Sequence, residues 1–564
     1  MRQRIGVALA LFISIATPSV VRGQEAADVL LVDAVIHTMD PALPEAQALA
    51  VVGGEIVALG SSSELVDRYR GPDTMVIDAG GAAVLPGLID AHGHVMGLGR
   101  ALRILDLVGT ESAEEIAEMV GEAAADRPTG DWITGRGWDQ NDWEVREFPA
   151  KELLDAVAPD HPVLLSRVDG HAVWVNSLAL EAAGVTTGTP DPEGGRIVRD
   201  AAGTPSGVLV DNAMALVGEA VPVADREERE AQLRAATEKM VTLGLTGVHD
   251  MGVNEAELEL YREWAAEGRL KPRIVAYLGA DRETLDWWTA SGFAGGVREA
   301  SPHLRVAGVK FYADGALGSR GAALLAPYSD DPGNTGLPVT DPDTLAARVA
   351  QVVRDGLQPA IHAIGDRGNR AALDAIAAAM PVARPRIEHA QVVALEDIPR
   401  FAELGVIASV QPTHATSDMY WAEERVGPER IRGAYAWRRL RDAGARVACG
   451  SDFPVESTNP FFGIYAAATR QDHEGWPEGG WRPEERMTRE EALACFTRDA
   501  AWVAGMEDEV GMLSVGKKAD FVIVDRDPFT APTEDLWQTR VLRTVIDGET
   551  VYDTGSRDDE ATGR

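Results

Sequence analysis

From about Gly244 onward, short apolar runs bounded by turn residues alternate with helix-like stretches, and this alternation restricts the fold more than any other feature of the chain. The runs read LTGVHDM, RIVAYLGA, RVAGVKFYADG, QPAIHAIGD, RPRIEHAQ, VIASVQPTH and RVACGSDFP, and VLPGLIDAHGH far upstream makes them eight. Between them lie segments such as TLAARVAQVVRDG and RAALDAIAAAM, whose apolar positions recur at helical spacing. Fully apolar strands joined by helices call for a parallel sheet covered on both faces. Eight such units predict an α/β protein built on a (β/α)8 TIM barrel, over 85–105 and 244–504.

The interval 106–243 separates the first strand from the second and is far too long for a loop. It is expected to be an inserted α+β subdomain, with helical stretches ESAEEIAEMVGEAAAD and REEREAQLRAATEKMVTLG, the extended run HPVLLSRVD and several tryptophans. The flanks 24–84 and 505–556 share a texture of short β-like runs punctuated by Gly and Pro, as in DVLLVDAVIHTMD and LRTVIDGETVYD. One small β-sandwich domain formed from both ends is expected. Only the acidic tail SRDDEATGR reads as disordered.

Residues 1–23 carry Arg2 and Arg4, an apolar run from Ile5 to Ala16, and Val21-Arg22-Gly23 with small residues where a signal peptidase reads. The run is shorter than the roughly 20 residues that span a bilayer, so a cleaved signal peptide and export, to the periplasm or beyond, are expected. No membrane association is expected once it is removed. A formal net charge of −36 repels nucleic acid and anionic lipid, which excludes both as partners. The two cysteines, Cys449 and Cys495, stand in no CxxC pattern, which rules out a cysteine zinc finger, and they are read as free buried thiols.

Chemistry-bearing side chains cluster at the C-terminal ends of the proposed strands, where barrel enzymes build their sites. In GLIDAHGHV an extended backbone puts His92 and His94 on one face, with Gly93 on the other. Lys310 lies in GVKFYADG, His362 in AIHAIGD, His389 in RIEHA and Asp452 in CGSDFP. A single histidine in an apolar strand is more often a hydrogen-bonded core residue than a ligand. Four histidines, a lysine and a carboxylate at equivalent strand ends converge on one point, and a core explanation does not account for that.

In combination, GLIDAHGH, GVKFYADGALGSR, IHAIGDRGN, RIEHA and GSDFP resemble the metal-dependent amidohydrolase superfamily, specifically amidohydrolase family 3, the branch with N-substituted formamide deformylase-like members. The resemblance runs over nearly the whole chain beyond the signal-like segment. It implies two divalent metal ions, zinc suiting the ligands best, with manganese, iron, cobalt and nickel left open. It makes His92, His94 and Asp452 ligands of the more buried ion, His362 and His389 ligands of the second, and Lys310 a carbamylated bridge. An unmodified ammonium beside two cations would be strongly unfavourable, and carbamylation turns it into an anion. The implied reaction is hydrolysis of a non-peptide carbon–nitrogen bond, an amide, N-formyl or N-acyl amine, by metal-activated water, with Asp452 as the catalytic proton carrier.

Several residues are candidates for substrate contact: His171 in RVDGHAVWV and His249 in GVHDMG, each equally readable as a core histidine; Asp314 at the rim after Lys310; Arg320 in LGSRGA, readable also as half of a structural ion pair; and Trp138, with Trp143 and Trp174, as a lid or as plain core. Asp366 reads as a turn or helix cap. The expected partner is a small-molecule amide, and a homodimer is allowed for. No GxSxG elbow, dinucleotide fingerprint or HExxH motif is present, which disfavours serine hydrolases, dehydrogenases and HExxH proteases. A peptidase or aminoacylase, a cyclic amidase, a deaminase and a non-catalytic binding or regulatory barrel stay open as alternatives.

Overall fold

The computed structural model describes residues 26–140, 143–167, 172–192, 195–290 and 301–556. The signal-like segment, His171 and tail residues 557–564 lie outside them. Among the described residues no helix is long and apolar enough to cross a membrane.

Eight parallel strands stand side by side in chain order: β1 (Leu88–Gly93), β2 (Leu245–Val253), β3 (Arg273–Gly279), β4 (Leu304–Tyr312), β5 (Gln358–Ala363), β6 (Arg386–His389), β7 (Ile407–Val410) and β8 (Arg446–Cys449). This is a (β/α)8 barrel. Register sets the site: Tyr312 pairs with His362, and Ala363 with His389. Closure between β8 and β1 comes just past the strand ends, where Asp452 N donates to His92 O (2.7 Å) and His94 N to Phe453 O (2.9 Å). Two glycines permit this approach. A Cβ on Gly450 would stand 2.4 Å from His92 N, and one on Gly93 would stand 2.5 Å from the Phe453 ring. Helices such as Pro342–Arg354, capped by Asp341 on Thr344 N, cover the outside of the barrel.

The insert forms its own mixed sheet, in the order Gly195–Arg199, Pro205–Asp211, Ala172–Val175, Val163–Arg167, Ile133–Trp138 and Leu105–Asp106. Two boundaries differ from the sequence reading. Leu105, expected in the barrel, pairs with Gly135 in the insert sheet. Helix Arg226–Thr242, expected in the insert, belongs to the barrel wall. Nearly half of its residues are charged, but Leu233, Ala236 and Met240 form a narrow stripe that packs with Val95, Met96 and Leu98.

The small domain holds a four-stranded sheet (Glu55–Gly60, Ala48–Val52, Val29–Val32, Met75–Asp78) and a six-stranded one (Glu549–Asp553, Val541–Ile546, Phe521–Val524, Ala83–Pro86, Val35–His37, Glu45–Ala46). Leu31, Ile36, Leu49, Val84, Phe521 and Val545 fill the space between them. The run VLPGLIDAHGH divides at Gly87, its upstream part pairing with Phe521–Val524 and its downstream part becoming β1. Arg273 of β3 joins the barrel to this domain, donating to Asp520 (2.8 and 3.0 Å) and to Asp547 (2.6 Å).

The cysteines are not free. Cys449, at the end of β8, and Cys495, at the end of helix Arg489–Cys495, form a disulfide with a Cα–Cα distance of 5.1 Å. The free-thiol reading fails because this helix folds back against β8, and a contact across 46 residues leaves no local trace in the sequence.

Candidate active site

The site is assembled from strand ends. His92 lies in β1, and His94 follows it to open helix Val95–Ala101. His92 Nδ1 stands 2.6 Å from Glu388 Oε2, so this nitrogen donates and Nε2 keeps its lone pair. His94 Nδ1 likewise donates to Met251 O (2.8 Å), and His389 Nδ1 to Gln411 Oε1 (2.7 Å). His362 contacts the Gly315 backbone, and its Nε2 is buried with no hydrogen-bond partner. The three imidazoles His92, His94 and His389 are thus each held through Nδ1, as metal-ligating histidines are, with the Nε2 of His94 against Asp452 Oδ1. Ligating atoms of His92, His389 and Asp452 all lie within 4.8 Å of one another.

His389 and Asp452 carry φ angles of 72° and 62°, a left-handed backbone that non-glycine residues seldom adopt. At Asp452 this turn brings the carboxylate over β1, with Oδ1 3.1 Å from His94 Nε2 and 3.4 Å from His92 Nε2. Such strain costs about 1–3 kcal/mol per residue and persists where the surroundings over-determine it. Burial alone would raise the Asp452 carboxyl, but His92 and His94 outweigh it and hold it well below the usual carboxylate range. Burial, reinforced by Lys310, lowers His92 to about 4 and His362 to about 3, so both stay neutral and keep lone pairs for a cation.

Lys310 is buried, its Nζ 3.1 Å from His92 Nε2. Burial lowers its pKa to about 8 against the pull of Glu388 and Asp452. Tyr312, two residues on, lies 5.2 Å below Lys310 Nζ and 5.5 Å from the His362 ring, and it is 41% exposed at the barrel mouth. Nitrogen and carboxylate donors in this number suit a divalent ion such as zinc, and the second nitrogens of the imidazoles are already occupied, so the residues present fit a metal centre.

Sequence reasoning passed over the layer beneath. Arg386 and Glu388 are fully buried in the barrel lumen. Arg386 donates to Glu388 Oε2 (2.9 Å), Ala91 O (2.6 Å), Ser409 Oγ (2.8 Å) and Tyr277 Oη (3.1 Å). Alternation in RIEHA puts both charges on the inner face, and a charge pair inside an apolar strand was the available signal. Asp90 accepts from His92 N (2.9 Å) and Ser451 Oγ (2.7 Å), tying β1 to the turn after β8, and burial raises it to about 7 despite these bonds.

Other candidates lie elsewhere. His249 is buried in the lumen, with Nδ1 2.9 Å from Arg386 Nη1, beside a small cavity lined by Ile89, Thr246, Arg273 and Asp520. It belongs with the supporting network, because the lumen side chains separate it from the mouth. Asp314 is buried and accepts from Ala323 N (2.8 Å), Ile364 N (2.9 Å) and Gly365 N (2.8 Å), so it anchors loops instead of facing a substrate. Arg320 pairs with Asp330 at 2.8 Å, which takes up the charge expected for a substrate anion. Trp138 is no lid. It packs with Trp143 and Trp174 in the insert's own core and donates to Leu165 O (2.8 Å). Asp366 opens helix Asp366–Ala379 and accepts from Leu325 N (2.7 Å).

The amidohydrolase family model matches residues 75–552. The chain belongs to the amidohydrolase family. It is 35% identical over 525 residues to YtcJ of Bacillus subtilis (strain 168), covering 92% of this chain and 98% of that one. It is 30% identical over 548 residues to the N-substituted formamide deformylase of Arthrobacter pascens, covering 94% and 99%. An uncharacterized metal-dependent hydrolase from Pyrococcus furiosus superposes with a TM-score of 0.76 at 30% identity, over 89% of this chain and all of the other. This amidohydrolase is therefore a metal-dependent hydrolase, and His92, His389 and Asp452 stand close enough together to hold an ion.

Proposed function

We propose that this amidohydrolase is exported and hydrolyses a non-peptide carbon–nitrogen bond in a small amide, with an N-formyl or N-acyl amine as the substrate class. The observation that carries the reading is the meeting of His92, His389 and Asp452 within 4.8 Å, with Lys310, His94 and His362 against them and three of the imidazoles fixed through their Nδ1 atoms. The likeness to an N-substituted formamide deformylase over 94% of the chain supports the choice of bond. The signal-like segment and the Cys449–Cys495 disulfide support export, since disulfides persist in oxidising compartments.

His92, His94 and Asp452 would hold one ion and His362 and His389 a second, with Lys310 joining them as a carbamate. Bound there, divalent ions such as zinc polarise a carbonyl and acidify water. The chain's own residues do the rest. Glu388, Met251 and Gln411 hold the imidazoles in the tautomer that leaves Nε2 free. Asp452, ionised throughout the neutral range, accepts a proton from water at a carboxylate oxygen and returns it to the departing amine nitrogen. Tyr312 walls the mouth beside His362 and orients the substrate.

Elemental analysis of the mature protein expressed with bicarbonate, beside Lys310→Ala and an assay of amine release from N-formyl and N-acyl amines, tests the reading. About two ions per chain and amine release, both lost in the variant, are expected. Full metal without turnover on any amide sinks the hydrolytic reading, and one ion unaffected by Lys310→Ala replaces it with mononuclear, deaminase-like chemistry.

A further inference from the structure

We infer that His414, outside the ligand set above, donates a hydrogen bond from Nε2 to the substrate's carbonyl oxygen as that oxygen gains negative charge; the inference rests on the amide-hydrolysis reading. His414 lies in helix Pro412–Asp418, which follows β7 at the barrel mouth. Its ring stacks on that of His389, with centroids 5.9 Å apart and planes inclined by 14°. Its Nε2 is buried and has no hydrogen-bond partner. The carboxylate oxygen it faces, Asp452 Oδ2, is 3.9 Å away, beyond hydrogen-bond reach.

The two oxygens of Asp452 are not equivalent. Oδ1 meets His94 Nε2 at 3.1 Å and His92 Nε2 at 3.4 Å, which leaves Oδ2 on the His414 side. In the tautomer that carries its proton on Nε2, His414 presents a buried donor without an acceptor. Folded proteins keep few of these, and at a functional site the missing partner points to a ligand. An acceptor that satisfies Nε2 stands beside Asp452 Oδ2, the oxygen free to take a proton from water. A carbonyl placed there has its proton acceptor and its oxygen's donor side by side.

The balance of the step is simple. Water oxygen bonds to the carbonyl carbon, its proton passes to Asp452, and the C=O π pair moves onto oxygen. Collapse restores C=O, breaks C–N and sends the Asp452 proton out on the amine, giving an acid and an amine. The His414 proton stays on nitrogen throughout. Its hydrogen bond strengthens only while the oxygen is charged, which is how a donor lowers a barrier without tightening substrate binding.

The test compares wild type with His414→Phe and His414→Gln in the metal-loaded mature protein, reading kcat, KM, metal per chain, thermal unfolding, and inhibition by an N-alkyl methylphosphonamidate as a tetrahedral oxyanion mimic. For His414→Phe, kcat should fall about 100- to 1000-fold with KM and metal content unchanged, and the phosphonamidate Ki should rise in step with the loss. His414→Gln keeps an N–H donor and should recover at least about tenfold of kcat. Loss of metal together with activity would make His414 a ligand and overturn the inference, as would a kcat within about threefold of wild type, or a loss carried by KM. If His414→Phe does not fold, His414→Gln decides, through the relation between its Ki and its kcat/KM. A wild-type protein that hydrolyses no amide fails the underlying reading instead, and that blank is distinguishable from a defect confined to the variants.

Discussion

Glu388 never meets solvent, yet it fixes which nitrogen His92 presents. Glu388→Gln keeps the shape and loses the charge, and metal affinity, measured by competition with a chelator, is expected to drop about 10- to 100-fold. Glu388→Ala also strands Arg386 in the lumen, and a destabilisation of about 3–5 kcal/mol is expected by chemical denaturation. At this scale the sequence singled out polar side chains that interrupt an apolar run, His92, His94, Lys310 and His389, and the structure brings them together at one end of the barrel. It was unreadable where meaning depends on a distant partner. Asp314 looked like a site residue because it follows Lys310, and Arg320 like a partner for a substrate anion or for a structural carboxylate; their partners are Ile364 N and Gly365 N, and Asp330. His414 lies at the end of the run VIASVQPTH, and its unpartnered Nε2 beside Asp452 and His389 sets it apart.

β8 carries Asp452 just beyond its end and is bonded covalently to helix Arg489–Cys495. Replacing both Cys449 and Cys495 by serine is expected to lower stability by up to about 4 kcal/mol on the loop-closure account for a loop of this 46-residue separation, measured by urea denaturation, with a steeper slope as the unfolded chain loses its cross-link. Two free thiols titrated in the unfolded, unreduced protein would show that the bond does not form. The barrel strands were legible because each is a short apolar run between turn signals, and fully buried strands need no alternation. Helix Arg226–Thr242 was assigned to the wrong unit because its stripe of three apolar residues is narrow and its partner helix Val95–Ala101 lies more than a hundred residues upstream. Periodicity gives an element's type and says nothing about which neighbour it packs against.

Barrel and small domain meet through charge as well as packing. Burial would raise the Asp547 carboxyl, but the His303 hydrogen bond and Arg273 overcome it and hold it to about 2, below the ordinary 3.8. A depressed carboxyl stabilises the folded state above its unfolded pKa, and that stability is lost as pH falls through about 2. Asp547→Asn is therefore expected to unfold about 2 kcal/mol more easily than wild type at pH 6, the two converging as pH approaches 2, followed by denaturation at a series of pH values. The same joint has a consequence in time. Strand Ala83–Pro86 waits for Phe521–Val524, roughly 400 residues later, before its sheet can close. At translation rates of about 5–20 residues per second that wait is on the order of 20 to 90 seconds. Throughout it the first half of the small domain shows an unpaired strand edge, the kind of surface that recruits wrong partners, so yield of this protein should respond to elongation speed and to chaperone supply.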